Sequence, residues 1–347
     1  MKTTIRDVAE AAGVSAMTVS KVLHGTGNNV RVSKERTEEI LRIAKELRYQ
    51  PNHLARSFRN KRTMTVGVVF QHFTRLSEHN PYYPQLLNGV MAALFPQNYT
   101  LALCPKLVQM SEEGAISDGR FDGVLWCRPD FTEASVRRLA HSSLPVVMMH
   151  APPSSVPGIP TFCANNEGGL RLVVQHLKGL GHRRIAFVVD TVNEHTAEGR
   201  ERAAAFLKAC REENVSGDVL VWHEDPESEL RPYLAANRPH TALAAYSDFY
   251  AGRILEECTK LGIRVPQDIS LTGFDSSPFC DTTSPRLTAV SQPVERMAFE
   301  ATTLLLALIN GEAAKGSDAS LLSSIYDCGL DVRDSTAPPA LIEEARS

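Results

Sequence analysis

Hydrophobic positions follow two different spacings along this chain, and the change between them falls near residue 62. In the first fifty residues the apolar positions recur at helical intervals, as at Ile5, Val8, Ala9 and Ala12. From residue 65 onward, short and nearly continuous apolar runs alternate with amphipathic segments. The pattern predicts a small all-α head followed by a larger α/β body.

Three short helices are predicted in the head. Thr4 and Asp7 have the spacing of a capping box, which starts the first helix. Ser15 is placed to cap a second helix over residues 16–23, and Ser33 is placed to cap a third. Two short helices joined by a glycine-containing turn predict a helix-turn-helix, whose second helix enters the DNA major groove.

Residues 50–62 predict a further short helix with many basic side chains. Pro51 suits a first helical turn, and Leu54 and Phe58 share one face. A helix of about two turns is not stable in isolation. We therefore expect this segment to fold only against a partner or on DNA.

Eight apolar runs in the body predict β-strands. Such runs are typical of parallel sheets that helices cover on both faces. About four strand–helix units precede residue 162 and about four follow it, which predicts two similar lobes with a ligand where the strand C-termini face the cleft. The runs are 65–70, 100–104, 123–127, 145–149, 185–189, 219–222, 241–245 and 269–274.

Composition narrows the class of protein. Hydrophobic residues make up 43% of the 347 residues and charged residues 22%, which excludes a disordered chain, a collagen-like fibre and a small disulfide scaffold. The apolar run 304–309 is far too short to span a membrane, and the N-terminus has no signal-peptide pattern, so a cytoplasmic location is expected. Seven dispersed cysteines without CxxC spacing predict reduced thiols.

Charge is distributed unevenly between head and body. Residues 1–62 hold thirteen Lys/Arg and six Asp/Glu, a net charge of +7, which leaves −10 for the remainder of a chain whose total is −3. A basic head on an acidic body indicates a DNA-binding domain fused to a second domain. A basic terminal arm without a specific role is the alternative.

Several consecutive blocks of the head resemble, in order, the head of the lactose/galactose repressor (LacI/GalR) family. The resemblance implies a homodimer whose paired hinge helices open the minor groove, where Phe58 stands at the position of an apolar wedge that is leucine in most members. Helical spacing predicts that Ala16, Met17, Ser20 and Lys21 face outward from the second helix, and Ala16, Met17 and Lys21 are expected to read bases. The matching blocks are TIRDVA at 4–9, AGVS at 12–15, TVSKVL at 18–23, PN at 51–52 and ARS at 55–57. The implied DNA-binding residues are Thr4, Ser15, Ala16, Met17, Thr18, Ser20, Lys21, Asn52, Ala55 and Phe58.

The body resembles the two-lobed, periplasmic-binding-protein-like sensor of the same family along nearly its whole length. Blocks that carry the resemblance include NPYY at 80–83, GHRRIAF at 181–187, GIRVPQDIS at 262–270 and GFD at 273–275. It implies lobes that are discontinuous in sequence and joined by three crossovers. The implied domains are 1–49 (helix-turn-helix), 50–62 (hinge helix and linker), 63–337 (ligand binding and dimerisation) and 338–347 (tail), with lobe 1 at about 63–162 and 287–318 and lobe 2 at about 163–286 and 319–337.

Eight residues are candidates for binding a small effector in the cleft. Arg202 matches a family arginine, and its planar fork suits paired hydroxyls or a carboxylate; a surface arginine is the alternative. Asp275 ends a strand where a carboxylate can accept two hydroxyl donors, unless it caps the following turn. Tyr82 and Tyr83 offer apolar faces with polar tips, unless they pack at the dimer face. The full set is Tyr82, Tyr83, Arg128, His150, Glu198, Arg202, Ser247 and Asp275.

Two departures from the family pattern bear on the choice of effector. Ser247-Asp248 stands where members usually have Asn-Asp, and His150 stands where the first lobe usually has aspartate. The effector of a known member therefore cannot be transferred to this chain. A sugar or sugar derivative is the expected class.

The resemblance favours a ligand-responsive repressor that binds a pseudo-palindromic operator, with neither a cofactor nor a metal. A transporter's solute-binding protein would share the body, but the basic head and the missing signal-peptide pattern speak against it. An enzyme is not expected because the GxGxxG, GxxxxGK[ST], GxSxG and HExxH motifs do not occur. A dimer rather than a tetramer is expected because the eleven residues after Thr336 include two prolines and fewer than two heptads.

Overall fold

The computed structural model describes residues 3–24, 31–50, 62–70, 82–104, 119–127, 133–153, 156–222, 230–236, 239–313 and 319–340. The chain divides into two compact units, residues 1–63 and residues 64–347. No helix within the described ranges has the length and apolar character needed to cross a membrane.

The first unit contains the three predicted helices. They are α1 (Ile5–Ala11), α2 (Ala16–His24) and α3 (Lys34–Glu46). The capping box forms as expected, since the Asp7 backbone N–H donates to Thr4 Oγ1 and the Thr4 backbone N–H donates to the Asp7 carboxylate. Ser15 accepts from the Thr18 N–H at 3.1 Å, which starts α2. The core is one small apolar cluster, centred on Val8, Val19 and Ile40.

The hinge helix predicted over 50–62 falls almost wholly outside the described residues. Asn52, Ala55 and Phe58 are among the residues concerned. Their DNA contacts stay predictions.

The second unit is built on two six-stranded sheets. In the first sheet the strand order is β11-β5-β4-β3-β1-β2, and every pair is parallel. In the second the order is β12-β10-β9-β8-β6-β7, parallel except for β10 with β12. The strands are β1 (Thr65–Val69), β2 (Thr100–Cys104), β3 (Gly123–Trp126), β4 (Val146–Met149), β5 (Thr161–Ala164), β6 (Arg184–Asp190), β7 (Ser216–Trp222), β8 (Ala242–Ala245), β9 (Ser270–Asp275), β10 (Thr288–Ser291), β11 (Ser324–Tyr326) and β12 (Gly329–Asp331).

Helices cover both faces of each sheet, as the apolar runs predict. Successive strand residues point to opposite faces, so Val147 joins one apolar cluster of the first sheet and its neighbours Val146 and Met148 join the other. The helices are α4 (Tyr82–Leu94), α5 (Glu133–His141), α6 (Asn166–Gly179), α7 (Ala197–Glu212), α8 (Leu230–Ala235), α9 (Asp248–Lys260) and α10 (Val294–Asn310). Short 3₁₀ turns lie at Phe95–Gln97, Asn193–His195, Pro278–Asp281 and Ala319–Leu322.

The chain passes between the two sheets three times, but the crossover positions differ from those expected. The return to the first lobe is expected at about residue 287, but β10 still pairs with β9 in the second sheet. The last crossover is expected at about residue 319, but β11 pairs with β5 in the first sheet. The first lobe is expected to end at about residue 162, but its strand β5 continues to Ala164. Backbone pairing therefore moves each boundary towards the C-terminus.

Candidate functional site

A cavity of about 170 Å³ lies between the two sheets, where carboxyl ends of strands from both lobes meet. Residues following β3 and β4 line it from one lobe, and residues at the ends of β8, β9 and β10 line it from the other. This is the position at which α/β sheets bind ligands. The lining comprises Tyr82, Tyr83, Cys127, His150, Asn193, Glu198, Arg202, Tyr246, Ser247, Phe249, Tyr250, Asp275 and Gln292.

Arg202 is the centre of the second-lobe side of this cavity. It projects from α7, and only 3% of it is exposed, so the surface-arginine alternative does not hold. Its Nε donates to Asn166 Oδ1 (3.0 Å), Nη1 to the Tyr246 carbonyl (2.7 Å) and Nη2 to Glu198 Oε1 (2.8 Å). The guanidinium also lies 3.8 Å from the ring centroid of Phe274. Hydrogen bonds and ring contacts together hold it in one orientation.

Glu198 is the counter-charge of Arg202. It lies one turn earlier on α7, which is the spacing at which helical side chains meet. Its second oxygen accepts a hydrogen bond from the Tyr246 hydroxyl at 3.0 Å. Both carboxylate oxygens are thus occupied, and Glu198 is itself buried.

His150 and Tyr82 form the first-lobe side. His150 follows β4 with φ of 66°, a conformation that few non-glycine residues adopt and that often marks a functional site. Its Nε2 lies 2.6 Å from the Tyr82 hydroxyl, and its Nδ1 lies 3.9 Å from Glu198 Oε1 across the cleft. Burial lowers the pKa of His150 and raises that of Tyr82, so both groups favour their neutral forms.

Asp275 ends β9 and is buried at the cavity wall. Its φ of 118° is unusual for an aspartate, and its Oδ1 accepts a hydrogen bond from Gln292 Nε2 at 2.6 Å. The expected alternative, a cap for the next turn, does not hold: the Ser277 N–H donates to Asp248 instead, at 2.7 Å. Burial raises the pKa of Asp275 well above its usual range, and the nearby Asp248 raises it further.

Seven of the eight candidate effector residues line this one cavity. Arg128 directly follows Cys127 but lies outside the described residues. Tyr82 is buried at the cavity, and Tyr83 is half-buried with its ring edge-on to Phe70 and Tyr82. The seven are Tyr82, Tyr83, His150, Glu198, Arg202, Ser247 and Asp275.

Six further lining residues were not predicted from the sequence. Three of them directly follow a strand, and for Cys127 and Tyr246 the sequence carries that signal because β3 and β8 were predicted. Gln292 was missed because β10 was not predicted, and Phe249 and Tyr250 because they belong to the first turn of α9. The six are Cys127, Asn193, Tyr246, Phe249, Tyr250 and Gln292.

In the first unit, α2 presents part of the predicted DNA-reading set on its outer face. Met17 is 65% exposed, and Lys21 lies one turn further along the same face. The prediction that Ser20 points outward is wrong, because only 5% of it is exposed. Ser20 lies one turn beyond Ala16, which itself packs against the core, so both stand on the covered side of the helix.

The remaining predicted contacts of this unit lie at helix starts. Thr4 and Ser15 are the residues before α1 and α2, and both hydroxyls take part in capping. The Thr18 hydroxyl lies 2.9 Å from that of Ser15. The Ser15 and Thr18 hydroxyls lie at the end of α2 that a helix-turn-helix directs towards DNA.

Comparisons with known proteins agree with both halves of the chain. Residues 4–52 match the family model described as bacterial regulatory proteins, lacI family, and residues 174–336 match that of a periplasmic binding protein-like domain. The HTH-type transcriptional repressor PurR of Erwinia tasmaniensis is 32% identical over 93% of this chain and 95% of its own length.

Solved structures show the same fold. A lac repressor dimer bound to operator and an anti-inducer superposes with a TM-score of 0.80 over 97% of this chain and 100% of the other, at 22% identity. A complex of the transcriptional regulator CelR with cellobiose superposes with a TM-score of 0.66 over 96% of this chain and all of the other, at 27% identity.

Proposed function

Because the chain belongs to the lacI family of bacterial regulatory proteins, and so is a transcriptional regulator rather than an enzyme, we propose that it is a ligand-responsive repressor. It binds a pseudo-palindromic operator as a homodimer, in the cytoplasm where that DNA is. A small polar effector, a sugar or sugar derivative, binds between the lobes and changes its affinity for the operator.

The observation that carries this proposal is the composition of the cavity between the lobes. Tyrosine and phenylalanine rings supply flat apolar surfaces, while Asp275, Gln292 and Ser247 supply polar atoms at strand ends. Sugar rings have apolar faces and hydroxyl rims, so they need both kinds of contact. CelR, which has the same fold, holds cellobiose.

Residues of both lobes line the same cavity, so a ligand bound there can affect how the two lobes close on each other. His150 belongs to the first lobe, and Glu198 on the second lies only 3.9 Å away. A ligand that contacts both sides favours the arrangement in which both contacts form. Only such a difference in affinity between two arrangements can shift their populations.

The homodimer is supported by the likeness in fold to a lac repressor that is a dimer on its operator. A helix-turn-helix reads about one half-site, so two copies match the two halves of a pseudo-palindrome. The exposed face of α2 at Met17 and Lys21 is the proposed base-reading surface.

A thermal-shift screen with Asp275→Asn tests the effector site. Sugars that bind the native state raise the melting temperature of the wild type. Asp275→Asn keeps an oxygen that can accept from Gln292 Nε2 but replaces the other carboxyl oxygen with an NH2 group. We therefore expect the shift produced by a sugar to be lost while operator binding persists. Asp334→Asn is the matched control, because Asp334 pairs with Arg286 on the surface, away from the cavity. An undiminished shift in Asp275→Asn would place the effector elsewhere.

A further inference from the structure

We propose that Glu198 sets the charge class of the effector: by neutralising Arg202, it makes the cavity select uncharged ligands that donate hydrogen bonds and reject anionic ones. The excluded class comprises phosphorylated sugars, sugar acids and other carboxylates. This inference rests on the proposed function, since it assumes that the cavity is the effector site.

The first argument is that the positive charge of Arg202 is already used within the protein. Its Nη2 donates to Glu198 at 2.8 Å, and its Nε and Nη1 donate to Asn166 and to the Tyr246 carbonyl. A guanidinium that is to bind a carboxylate or phosphate presents two parallel N–H groups to it. Here all three nitrogens already donate to acceptors within the protein, and the anionic acceptor among them is Glu198.

The second argument is that the rest of the described lining is rich in acceptors and poor in cations. Gln292 Oε1 is buried without a hydrogen-bond partner among the described residues. Within the lining that the structure describes, Arg202 alone carries a lysine or arginine charge. His150 does not replace it, because burial lowers the pKa of His150 and favours the neutral ring.

These two features have opposite consequences for the two ligand classes. An anion would lose its hydration, meet no uncompensated cation, and lie near the Glu198 carboxylate. A ligand hydroxyl would donate to Gln292 Oε1 and remove an unsatisfied buried acceptor. Glu198 is therefore a specificity-determining residue as well as the partner that orients Arg202.

Inorganic phosphate is a direct probe of this charge arrangement, and it needs no knowledge of the effector. In differential scanning calorimetry at constant ionic strength, with chloride as the exchanged anion, wild-type protein should show no saturable stabilisation by phosphate. Glu198→Gln removes the counter-charge of the guanidinium, so we expect phosphate to bind this variant about 10- to 100-fold more tightly than the limit that the wild-type measurement sets. The double variant Glu198→Gln/Arg202→Gln should lose that gain.

Glu201→Gln is the matched control for a general change in charge. Glu201 lies on the same helix and bonds to Asn166 Nδ2 at 2.9 Å, but it does not line the cavity. It should leave the phosphate response as in the wild type. Equal phosphate binding by wild type and Glu198→Gln, or equal gains in the two single variants, would overturn the proposal.

A second arm uses only the wild-type chain, so it holds even if Glu198→Gln does not fold. Matched sets are compared by thermal shift: glucose, glucuronate and glucose 6-phosphate; ribose, ribonate and ribose 5-phosphate. We expect that any member that stabilises the protein is uncharged. Stabilisation by an anionic member would overturn the proposal. This holds even if Arg128→Gln abolishes that stabilisation, because the wild-type chain would then still accept an anionic ligand. If no sugar binds, the sugar effector of the proposed function is contradicted, and the phosphate experiment still decides the role of Glu198.

Discussion

Replacing Arg202 by methionine removes the central group of the cavity wall while keeping a side chain of similar length. The guanidinium makes three hydrogen bonds, at 2.7 to 3.0 Å, to Asn166, Glu198 and the Tyr246 carbonyl. Methionine makes none of them. More importantly, it leaves the Glu198 carboxylate buried with the Tyr246 hydroxyl as its remaining hydrogen-bond donor among the described residues.

The expected cost is large because the surviving charge is buried. Removing one partner of a buried ion pair typically costs about 3–5 kcal/mol, most of it from the uncompensated charge that remains. Arg202 is 3% exposed and Glu198 8%, so solvent cannot replace the lost partner. Against a total stability of roughly 5–15 kcal/mol, a loss of this size moves the unfolding midpoint far outside experimental error.

Urea denaturation followed by circular dichroism, at one fixed protein concentration, measures this change. Arg286→Met is the matched control, because Arg286 pairs with Asp334 at 2.7 Å but both side chains are more than half exposed. Exposed pairs contribute little, so this variant should differ only slightly from the wild type. The double variant Arg202→Met/Glu198→Gln should be more stable than Arg202→Met alone, since no buried charge is left unpaired.

Two results would refute this reasoning. One is an effect of Arg202→Met no larger than that of Arg286→Met. The other is a double variant whose loss equals the sum of the two single losses, because additive losses would mean that the two side chains do not interact.

The other predictions concern pH and operator choice. Burial raises the pKa of Asp248 to about 6 from an ordinary 3.8, so the folded state favours its neutral form. Its stabilising contribution is present below about pH 4 and lost as pH rises to about 6. Urea midpoints should therefore fall over that window in wild type and fall less in Asp248→Asn, and parallel curves would contradict this. Replacing Met17 or Lys21 should alter the bases selected from randomised DNA, at about 1–3 kcal/mol per contact, without abolishing non-specific binding; unchanged base preference would exclude them as readers.

The eight predicted strands all exist because each is a run of mainly apolar residues. Six of them are almost wholly buried, while β2 and β7, at the edges of their sheets, are partly exposed. The four that the sequence did not reveal have weaker patterns. β5 and β10 are four-residue strands that begin with threonine, and β11 and β12 are three-residue edge strands with exposed positions. β11 pairs with β5, a neighbour far away in the chain, and such pairing helps to fix the crossover positions that the family resemblance misplaced.

The candidate site was predictable wherever chemistry coincided with a strand end, as at His150 and Asp275. The hydrogen bonds within the site were not predictable from the sequence. The four-residue spacing of Glu198 and Arg202 is visible in the sequence, but their burial and their bonds to Tyr246 arise only when β8 and α7 pack together. The error at Ser20 has the same origin, because helical spacing does not reveal which edge of α2 its neighbours cover.

The central claim is that a ligand in the cavity between the lobes changes affinity for DNA. Fluorescence anisotropy tests this claim most directly. A labelled operator, obtained from the randomised-site selection, is titrated with the full chain. The titration is then repeated with a saturating concentration of a sugar identified in the thermal-shift screen. We predict a change in the dissociation constant of about 5- to 150-fold for wild type and for Asp334→Asn, and none for Asp275→Asn. Equal operator affinity of the wild type with and without a sugar that demonstrably binds it would contradict the account.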